Sequence, residues 1–233
     1  MKSVGLYLPL LLRGAVITIK LTAVSAIIAF GFSFVGGLGR LSPSRYVRLA
    51  AGTYIEFFRG TSLLVQMFWV FYVFPLFGLT VSAFASAVVV LGLNLGAYGS
   101  EVVRGGIQAV PRGQLDAALA LSFSPWQRFR RIVLPQALQL MIAPFGNLLI
   151  VLLKASSLAS LITIPDLTFD GETLRATTGN TTLILLMVLL MYFVMSMVIA
   201  MATRGLEWRV AMKHGLRRRP RSGTLEPERT GLL

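Results

Sequence analysis

Long apolar stretches alternate with shorter polar connectors along most of the chain. Five of these stretches approach the roughly 20 helical residues that cross a bilayer core about 30 Å thick. The predicted spans are Gly14–Leu38, Gly60–Leu79, Ser82–Val103, Gln136–Leu153 and Thr181–Thr203. An interfacial run, Tyr54–Arg59, precedes the second span, and the fourth contains Pro144 and Gly146, which buried membrane helices tolerate. The pattern therefore predicts an all-α membrane protein with five transmembrane helices.

The composition agrees with a chain that lies largely in lipid. Of its 233 residues, 55% are hydrophobic and 13% are charged, with a mean hydropathy of +0.76, whereas about one quarter of a soluble domain is charged. The first apolar run lacks the cleavage-site pattern of a signal peptide, so we expect it to be retained as a span.

Enzymatic chemistry is poorly supported by the residue types present. The chain has no Cys and one His, His214, which excludes disulfides, thiol nucleophiles and metal sites rich in His or Cys. It also has no G-x-x-x-x-G-K-[ST] phosphate loop and therefore no P-loop nucleotide site. The sequence also lacks the cluster of catalytic residues that an intramembrane enzyme would need.

The net charge of +13 is distributed asymmetrically among the connectors. Of the 22 Lys and Arg residues, four follow the first span, Arg59 among them, five follow the third and eight lie in the C-terminal tail. The turn after the second span has none, and Ala155–Asn180 has only Arg175 against three acidic residues. By the positive-inside rule, we expect the N-terminus outside and the C-terminus in the cytoplasm. Topology thus accounts for the charge, and no nucleic-acid partner is needed.

A charged, helix-prone segment, Gly113–Leu138, separates the third and fourth spans. Arg112–Leu121 is rich in Ala and Leu, with Asp116 near its start, and is predicted to form a short helix. Ser124 is a suitable N-cap, and Pro125 suits the first position of a second helix. The pattern predicts two short helices joined by a turn on the cytoplasmic surface. Taken alone, it also fits an interfacial element that merely joins two spans.

This segment resembles the cytoplasmic loop of the inner-membrane subunits of ABC importers. The pattern of that loop is Glu-Ala-Ala, three residues, Gly, nine residues, Ile, one residue and Leu-Pro. The matching positions here are Asp116, Ala117, Ala118, Ser122, Ile132, Leu134 and Pro135. The resemblance implies that the first helix, which includes Leu119, is a coupling helix that fits a groove on an ATPase subunit.

Two residue types depart from the loop pattern. Asp116 replaces Glu, which keeps the charge but shortens its reach by one methylene. Ser122 replaces Gly, and a left-handed backbone conformation at that turn would cost a Ser about 1–2 kcal/mol. The turn is therefore either built without a positive φ or strained. Coupling efficiency is the property that these departures affect.

Five stretches resemble the permeases of polar amino acid importers, the histidine, glutamine, arginine and opine group. They are GAVITIKLT at Gly14–Thr22, YIEFFRGTSLLVQMF at Tyr54–Phe68, EVVRGGIQAVPRGQ at Glu101–Gln114, LPQALQLMIAPFGN at Leu134–Asn147 and LLKASSLASLI at Leu152–Ile162. Departures from the family pattern are Ser62 in place of Pro, and Ala155 and Ser156 in place of an acidic residue and Thr. The resemblance implies the type I ABC importer permease fold and uptake of a polar amino acid or an amino-acid-like solute.

The resemblance also implies partners in a bacterial cytoplasmic (inner) membrane. These are a dimer of ATPase subunits that bind ATP and Mg, a second permease subunit that is identical or paralogous, an extracytoplasmic solute-binding protein, and membrane lipid. No cofactor is expected on this chain. We expect one transmembrane domain over residues 1–210 and a basic, disordered tail over residues 211–233, with its arginines near anionic lipid.

Polar residues at membrane depth are costly and are candidates for solute contacts. In this chain they are Gln66, Asn94, Tyr98, Lys154 and Ser157. Asn94 and Tyr98 lie one helical turn apart, and Lys154 is the best carboxylate ligand by charge. Such residues also serve as interhelical hydrogen-bonding groups, and a Lys near a span end can extend toward the interface.

Glu101 and Arg104 are predicted to form an i,i+3 ion pair with a structural role.

Two other kinds of transport protein are alternatives to a polar amino acid permease. An ABC permease for methionine, a phosphonate or a compatible solute would share the fold but differ in its cavity. A secondary transporter or channel would often show inverted repeats with paired broken helices, and no convincing internal repeat is visible.

Overall fold

Helices account for nearly all of the structure, a computed structural model that describes residues 2–213. The α-helices are α1 Lys2–Arg40, α2 Arg45–Gly60, α3 Leu63–Phe68, α4 Ala83–Gln108, α5 Arg112–Ala120, α6 Pro125–Arg128, α7 Leu134–Ala155, α8 Leu167–Thr178 and α9 Thr181–Lys213. Short π and 3-10 turns extend α3 to Phe77, join α6 to α7 and extend α7 to Ile162. Residues 2–213 contain no β-strand, and the all-α prediction is confirmed.

Four continuous helical segments are long and apolar enough to cross a membrane. They are Tyr7–Arg40, Ala83–Gln108, Pro125–Ile162 and Thr181–Val210. A fifth candidate is a bent pair, Arg45–Gly60 and Leu63–Phe77, whose two parts are inclined by 101°. When this pair is counted as one span, the described residues contain the five predicted spans.

The second span differs from its prediction, which was one helix at Gly60–Leu79 after an interfacial run. Its helix begins instead at Arg45 and breaks at Thr61 and Ser62, both of which have extended backbone conformations. The part before the break contains three arginines and a glutamate, so its apolar content alone does not reveal a membrane segment. Arg59, which the sequence analysis counted with the connector after the first span, therefore lies at the end of this helix, next to the break.

The core forms where α1 and α4 pack side by side. A Cβ added at Gly92 would lie 2.6 Å from the Ile28 side chain, and one added at Gly96 would lie 2.8 Å from Phe32 Cβ. Glycines at these positions let the two helices approach closely, which is how many membrane helices gain packing energy. The helix α7 packs across this pair, with Phe145 against Phe30 at a ring-centroid distance of 4.9 Å.

The last helix, α9, packs against α7 and α8 and exposes many large apolar side chains. Phe193 and Val198 are both 61% exposed, as expected for side chains that face lipid. The helix reaches Lys213 and so extends past residue 210, where the sequence placed the end of the domain. The rest of the predicted basic tail, residues 214–233, lies outside the described part of the chain.

Candidate functional site

The helix α5 ends in a Schellman motif centred on Ser122. The N–H of Ser122 donates to the Leu119 carbonyl at 2.9 Å, and the N–H of Phe123 donates to the Ala118 carbonyl at 3.1 Å. The φ angle of Ser122 is +58°, in the left-handed region. Of the two possibilities that the sequence left open, the positive φ is the one observed. Ser122 therefore adopts the conformation that Gly favours, at a cost of about 1–2 kcal/mol.

The two sides of α5 have different environments. Ala118 is 1% exposed, and Leu115 packs against the cluster that contains Val110 and Val133. Asp116, Ala117, Leu119 and Ser122 are exposed. This helix therefore rests on the membrane-spanning helices along one side and presents a carboxylate and apolar groups along the other.

The turn after α5 leads directly into the fourth span. Ser124 caps α6 in a capping box, in which its Oγ accepts from Gln127 N–H at 3.3 Å and its own N–H donates to Gln127 Oε1 at 2.9 Å. This confirms the predicted N-cap. A π turn, Phe129–Val133, then connects α6 to α7 without a break in the helix. The short helix is therefore continuous with the span.

A pair of glutamines joins α5 to the start of α7, and sequence reasoning did not identify it. The amide of Gln136 donates to Gln114 Oε1 and, at 3.0 Å, to the Ile132 carbonyl. Ile132 and Leu134 are half-buried, and Pro135 is exposed at the first turn of α7. This contact links α5 to the start of the fourth span.

Gln66 and Asn94, two of the predicted solute contacts, meet at the break in the second span. Asn94 Nδ2 donates to Gln66 Oε1 at 3.2 Å and to the Phe58 carbonyl at 2.8 Å. Gln66 Nε2 donates to Thr61 Oγ1 at 2.6 Å and to the Phe58 carbonyl at 3.2 Å. The last carbonyls of a helix lack N–H partners, so these two amides stabilise the end of α2 at the break.

Tyr98 lies beside the same break and is 40% exposed. The guanidinium of Arg59 lies over its ring, with 5.2 Å between Cζ and the ring centroid. Sequence reasoning missed Arg59 because it counted this residue among the cytoplasmic charges. The polar, Gly-containing tripeptide that follows it, Gly60–Ser62, is the signal of a discontinuous helix that could have identified it.

Lys154 and Ser157 line a separate groove of about 710 Å³ between α7 and α9. The lining residues are Ile150, Lys154, Ser157, Leu189, Tyr192, Phe193, Ser196, Met197 and Ala200. Ser157 Oγ donates to the Lys154 carbonyl at 2.7 Å, and Ser196 Oγ is buried without a hydrogen-bond partner. Tyr192 and Ser196 are polar lining residues that sequence reasoning did not identify. Gln66, Asn94 and Tyr98 do not line this groove.

The groove is connected through Tyr192 to a buried acidic residue at the start of α8. Asp166 is fully buried, and its Oδ1 accepts from the N–H of Phe169 at 2.9 Å as an N-cap. The hydroxyl of Tyr192 donates to Asp166 Oδ2 at 3.5 Å. Burial raises the pKa of Asp166 to about 6. Burial also raises the pKa of Asp170, while the positive charge of Arg13 opposes that shift.

Glu101 and Arg104 form the predicted i,i+3 ion pair near the end of α4, with 2.7 Å between Oε2 and a guanidinium nitrogen. Arg104 also donates to Gln108 Oε1 at 2.8 Å. These contacts stabilise the last turns of the helix. Over residues 2–213, no cluster of three His, Cys, Asp or Glu side chains could hold a metal ion.

Residues 27–212 match the family described as binding-protein-dependent transport system inner membrane component. The chain belongs to this family. It is 46% identical over 218 residues to the probable amino-acid ABC transporter permease protein y4tF of Sinorhizobium fredii, which covers 91% of this chain and 92% of that relative. The chain is thus a multi-pass membrane component of a transport system and not an enzyme.

Solved structures agree with this assignment. A crystal structure described as an amino acid ABC transporter with histidines is 33% identical, with a TM-score of 0.84, and covers 89% of this chain and 97% of its own. An inward-facing MetNI methionine ABC transporter is 21% identical, with a TM-score of 0.73, and covers 87% of this chain and 97% of its own. The second likeness shows the fold alone. The fold is that of an ABC importer permease, as predicted.

Proposed function

We propose that the chain is the permease subunit of an importer for a polar amino acid or an amino-acid-like solute. The observation that carries this proposal is the similarity to the amino acid transporter structure, which combines 33% identity with coverage of 89% of this chain. The relative y4tF is also described as a probable amino-acid ABC transporter permease. Permeases for methionine, phosphonates or compatible solutes share the fold, but no feature of this chain favours one of these solutes.

The proposed energy source is ATP, with Mg, on a dimer of separate ATPase subunits. The exposed side of α5, with Asp116, Ala117 and Leu119, is the surface that would enter a groove on such a subunit. Two features support transmission of a movement of the ATPase subunit to the fourth span. They are the hydrogen bond between Gln114 and Gln136 and the continuous helix from α6 into α7.

The remaining proposed partners surround the membrane-spanning helices. A second permease subunit, identical or paralogous, would complete the pathway, and a solute-binding protein would deliver the solute at the outer face. We place the N-terminus outside and α5 in the cytoplasm of a bacterial inner membrane. With Arg59 removed from the cytoplasmic count, Arg40, Arg45 and Arg48 still follow the first span, so the charge asymmetry that supports this orientation persists.

Three of the candidate solute contacts have side chains that can meet a solute directly. Tyr98 is exposed at the break, and Lys154 and Ser157 line the groove between α7 and α9. Lys154 supplies a cation there for a carboxylate. Gln66 and Asn94 have their amide groups engaged with each other and with the end of α2. Their proposed role in the pathway is to hold its wall in shape.

Reconstitution of the complete complex would test this function. The chain is co-expressed with candidate ATPase, receptor and second permease subunits from the same organism, and uptake of labelled solutes into proteoliposomes is measured. We expect ATP-dependent uptake of at least one polar amino acid, abolished when the ATPase is inactivated by substitution. Uptake restricted to methionine, a phosphonate or a compatible solute would contradict the proposal, as would uptake without ATP.

A further inference from the structure

Arg59 lies inside the membrane-spanning region, although its helix begins at the cytoplasmic end of the protein. The helix α2 follows α1 away from that end, and the hydroxyl of Tyr54 donates to the Leu93 carbonyl at 2.7 Å. One turn later, the Phe58 carbonyl accepts from Asn94. Asn94 is near the middle of the span Ala83–Gln108. Arg59 therefore sits at about the same level, near the middle of that span.

Arg59 forms no ion pair with a described side chain, and the acidic residue one helical turn before it, Glu56, is exposed. The ion pairs among residues 2–213 are Arg104 with Glu101 and Arg175 with Glu172. Arg59 instead has an exposed side chain whose guanidinium rests on the ring of Tyr98. A charged residue at this depth is costly and marks a functional site unless it is paired.

Contacts at the break in the second span restrict the position of the Arg59 guanidinium. Gln66 and Asn94 satisfy the Phe58 carbonyl, which belongs to the residue before Arg59. The stacked ring then limits the side chain to one side. A guanidinium held in this way still presents its N–H groups at its edge, where two of them can donate in parallel to the two oxygens of a carboxylate.

We infer that Arg59 binds the carboxylate of the transported solute, with Tyr98 as a positioning residue. This inference rests on the proposed function, because every amino acid carries an α-carboxylate. The proposed Arg59 site, in the second span, is separate from the groove that contains Lys154. A solute that moves between the two would meet a cation at each.

The test compares ligands that differ only in the carboxylate. The complex of permeases and ATPases is purified in detergent without its receptor, so that receptor specificity does not contribute. Equilibrium binding is measured for L-histidine, L-glutamine and L-arginine, each paired with its α-carboxamide. We expect Arg59→Gln to weaken binding of the amino acid about tenfold or more, because a charged hydrogen-bonded pair is lost. Binding of the carboxamide should change far less.

Two further variants separate charge from structure. Arg59→Lys keeps the positive charge and should retain part of the preference for the carboxylate over the carboxamide. Arg48→Gln removes an exposed arginine from the opposite end of the same helix and should leave both ligands unaffected. Arg59→Gln complexes must co-purify with their ATPases as the wild type does.

The outcomes distinguish this inference from the proposed function. Equal binding of an amino acid by wild type and Arg59→Gln would refute the role of Arg59 and leave the importer assignment standing. Equal loss of the amino acid and its carboxamide would also refute it, since the carboxylate would not be the recognised group. Loss of permease assembly without loss of binding would show that Arg59 pairs with the second subunit instead. If the wild type bound none of the ligands, both proposals would fail.

Discussion

Single residues in this protein hold conformations or charges that their surroundings disfavour. Ser122 has a left-handed backbone at the end of α5, and Asp166 keeps a carboxyl group fully buried at the start of α8. Each has a local compensation, the two hydrogen bonds of the Schellman motif for Ser122 and the N-cap bond for Asp166. The free-energy cost at both positions can be measured by substitution.

Replacement of Ser122 by Gly should stabilise the cytoplasmic segment. Gly adopts a positive φ without the contact between Cβ and the carbonyl oxygen, so we expect a gain of about 1 kcal/mol. Thermal unfolding of the purified complex and limited proteolysis at the turn would both detect it. Ser122→Ala keeps a Cβ and serves as the control, with stability close to that of the wild type. A lower stability of Ser122→Gly would mean that the serine hydroxyl has a role at this turn.

Thermal stability should depend on pH through Asp166. Its pKa is about 6 in the folded protein against an ordinary value of 3.8, so the folded state binds a proton more tightly than the unfolded state. The contribution of Asp166 to stability is therefore greatest below pH 3.8 and is lost as the pH rises through 6, by up to about 3 kcal/mol. The Tm should be higher at pH 5 than at pH 7.5.

Asp166→Asn provides the matched control for that pH dependence. The amide oxygen of Asn can still accept from the N–H of Phe169, so the N-cap is retained while the titration is removed. Asp170, whose pKa is also raised, remains in place and should leave a smaller slope. An unchanged slope in Asp166→Asn would assign the pH dependence to another group.

At the scale of elements, α5 combines a packed side with an exposed one. The adjacent alanines Ala117 and Ala118 lie on opposite sides of that division, with Ala118 buried and Ala117 exposed. Ala117 can therefore probe contact with an ATPase, whereas Ala118 reports on packing within the chain. The family pattern gives both positions as Ala and does not separate these roles.

Enlarging these two alanines should have different effects. Ala117→Leu adds bulk on the exposed side, so we expect an intact complex in which ATP hydrolysis no longer drives uptake. Ala118→Leu inserts methylenes into packed space, which typically costs about 1–3 kcal/mol, and should lower the Tm. The ratio of solute transported to ATP hydrolysed in proteoliposomes measures coupling. If Ala117→Leu supported uptake at the wild-type ratio of solute to ATP, the exposed side of α5 would not be the contact surface for the ATPase.

At the scale of the whole molecule, orientation in the membrane can be measured directly because the chain has no Cys. Gly113→Cys places a thiol on α5 with open space around its Cβ, and Ala176→Cys places one on the exposed part of α8. A membrane-impermeant maleimide should label Ala176→Cys in intact cells and Gly113→Cys only after permeabilisation. The reverse pattern would invert the proposed topology.

Much of this architecture follows from local features of the sequence. Apolar length identified the spans, and Ser124 with Pro125 marked the start of α6. The prediction of the second span missed the bend and the helix before it, because hydropathy weighs each segment alone. The segment before Thr61 carries arginines and glutamate among apolar residues, and one side of it packs against α1 and α4. Such packing depends on residues far away in the chain.

The membrane class, the apolar segments and the two short helices after the third span could be predicted from local sequence, because composition, hydrophobic length and the Ser124 cap act within a few residues. Tertiary packing alone accounts for the bond between Gln66 and Asn94, the burial of Ala118 beside exposed Ala117, and the stacking of Arg59 on Tyr98. These outcomes depend on which helices lie side by side. Asn94 and Phe58 are 36 residues apart in the chain, yet the hydrogen bond between them holds the end of α2 against α4, next to Arg59.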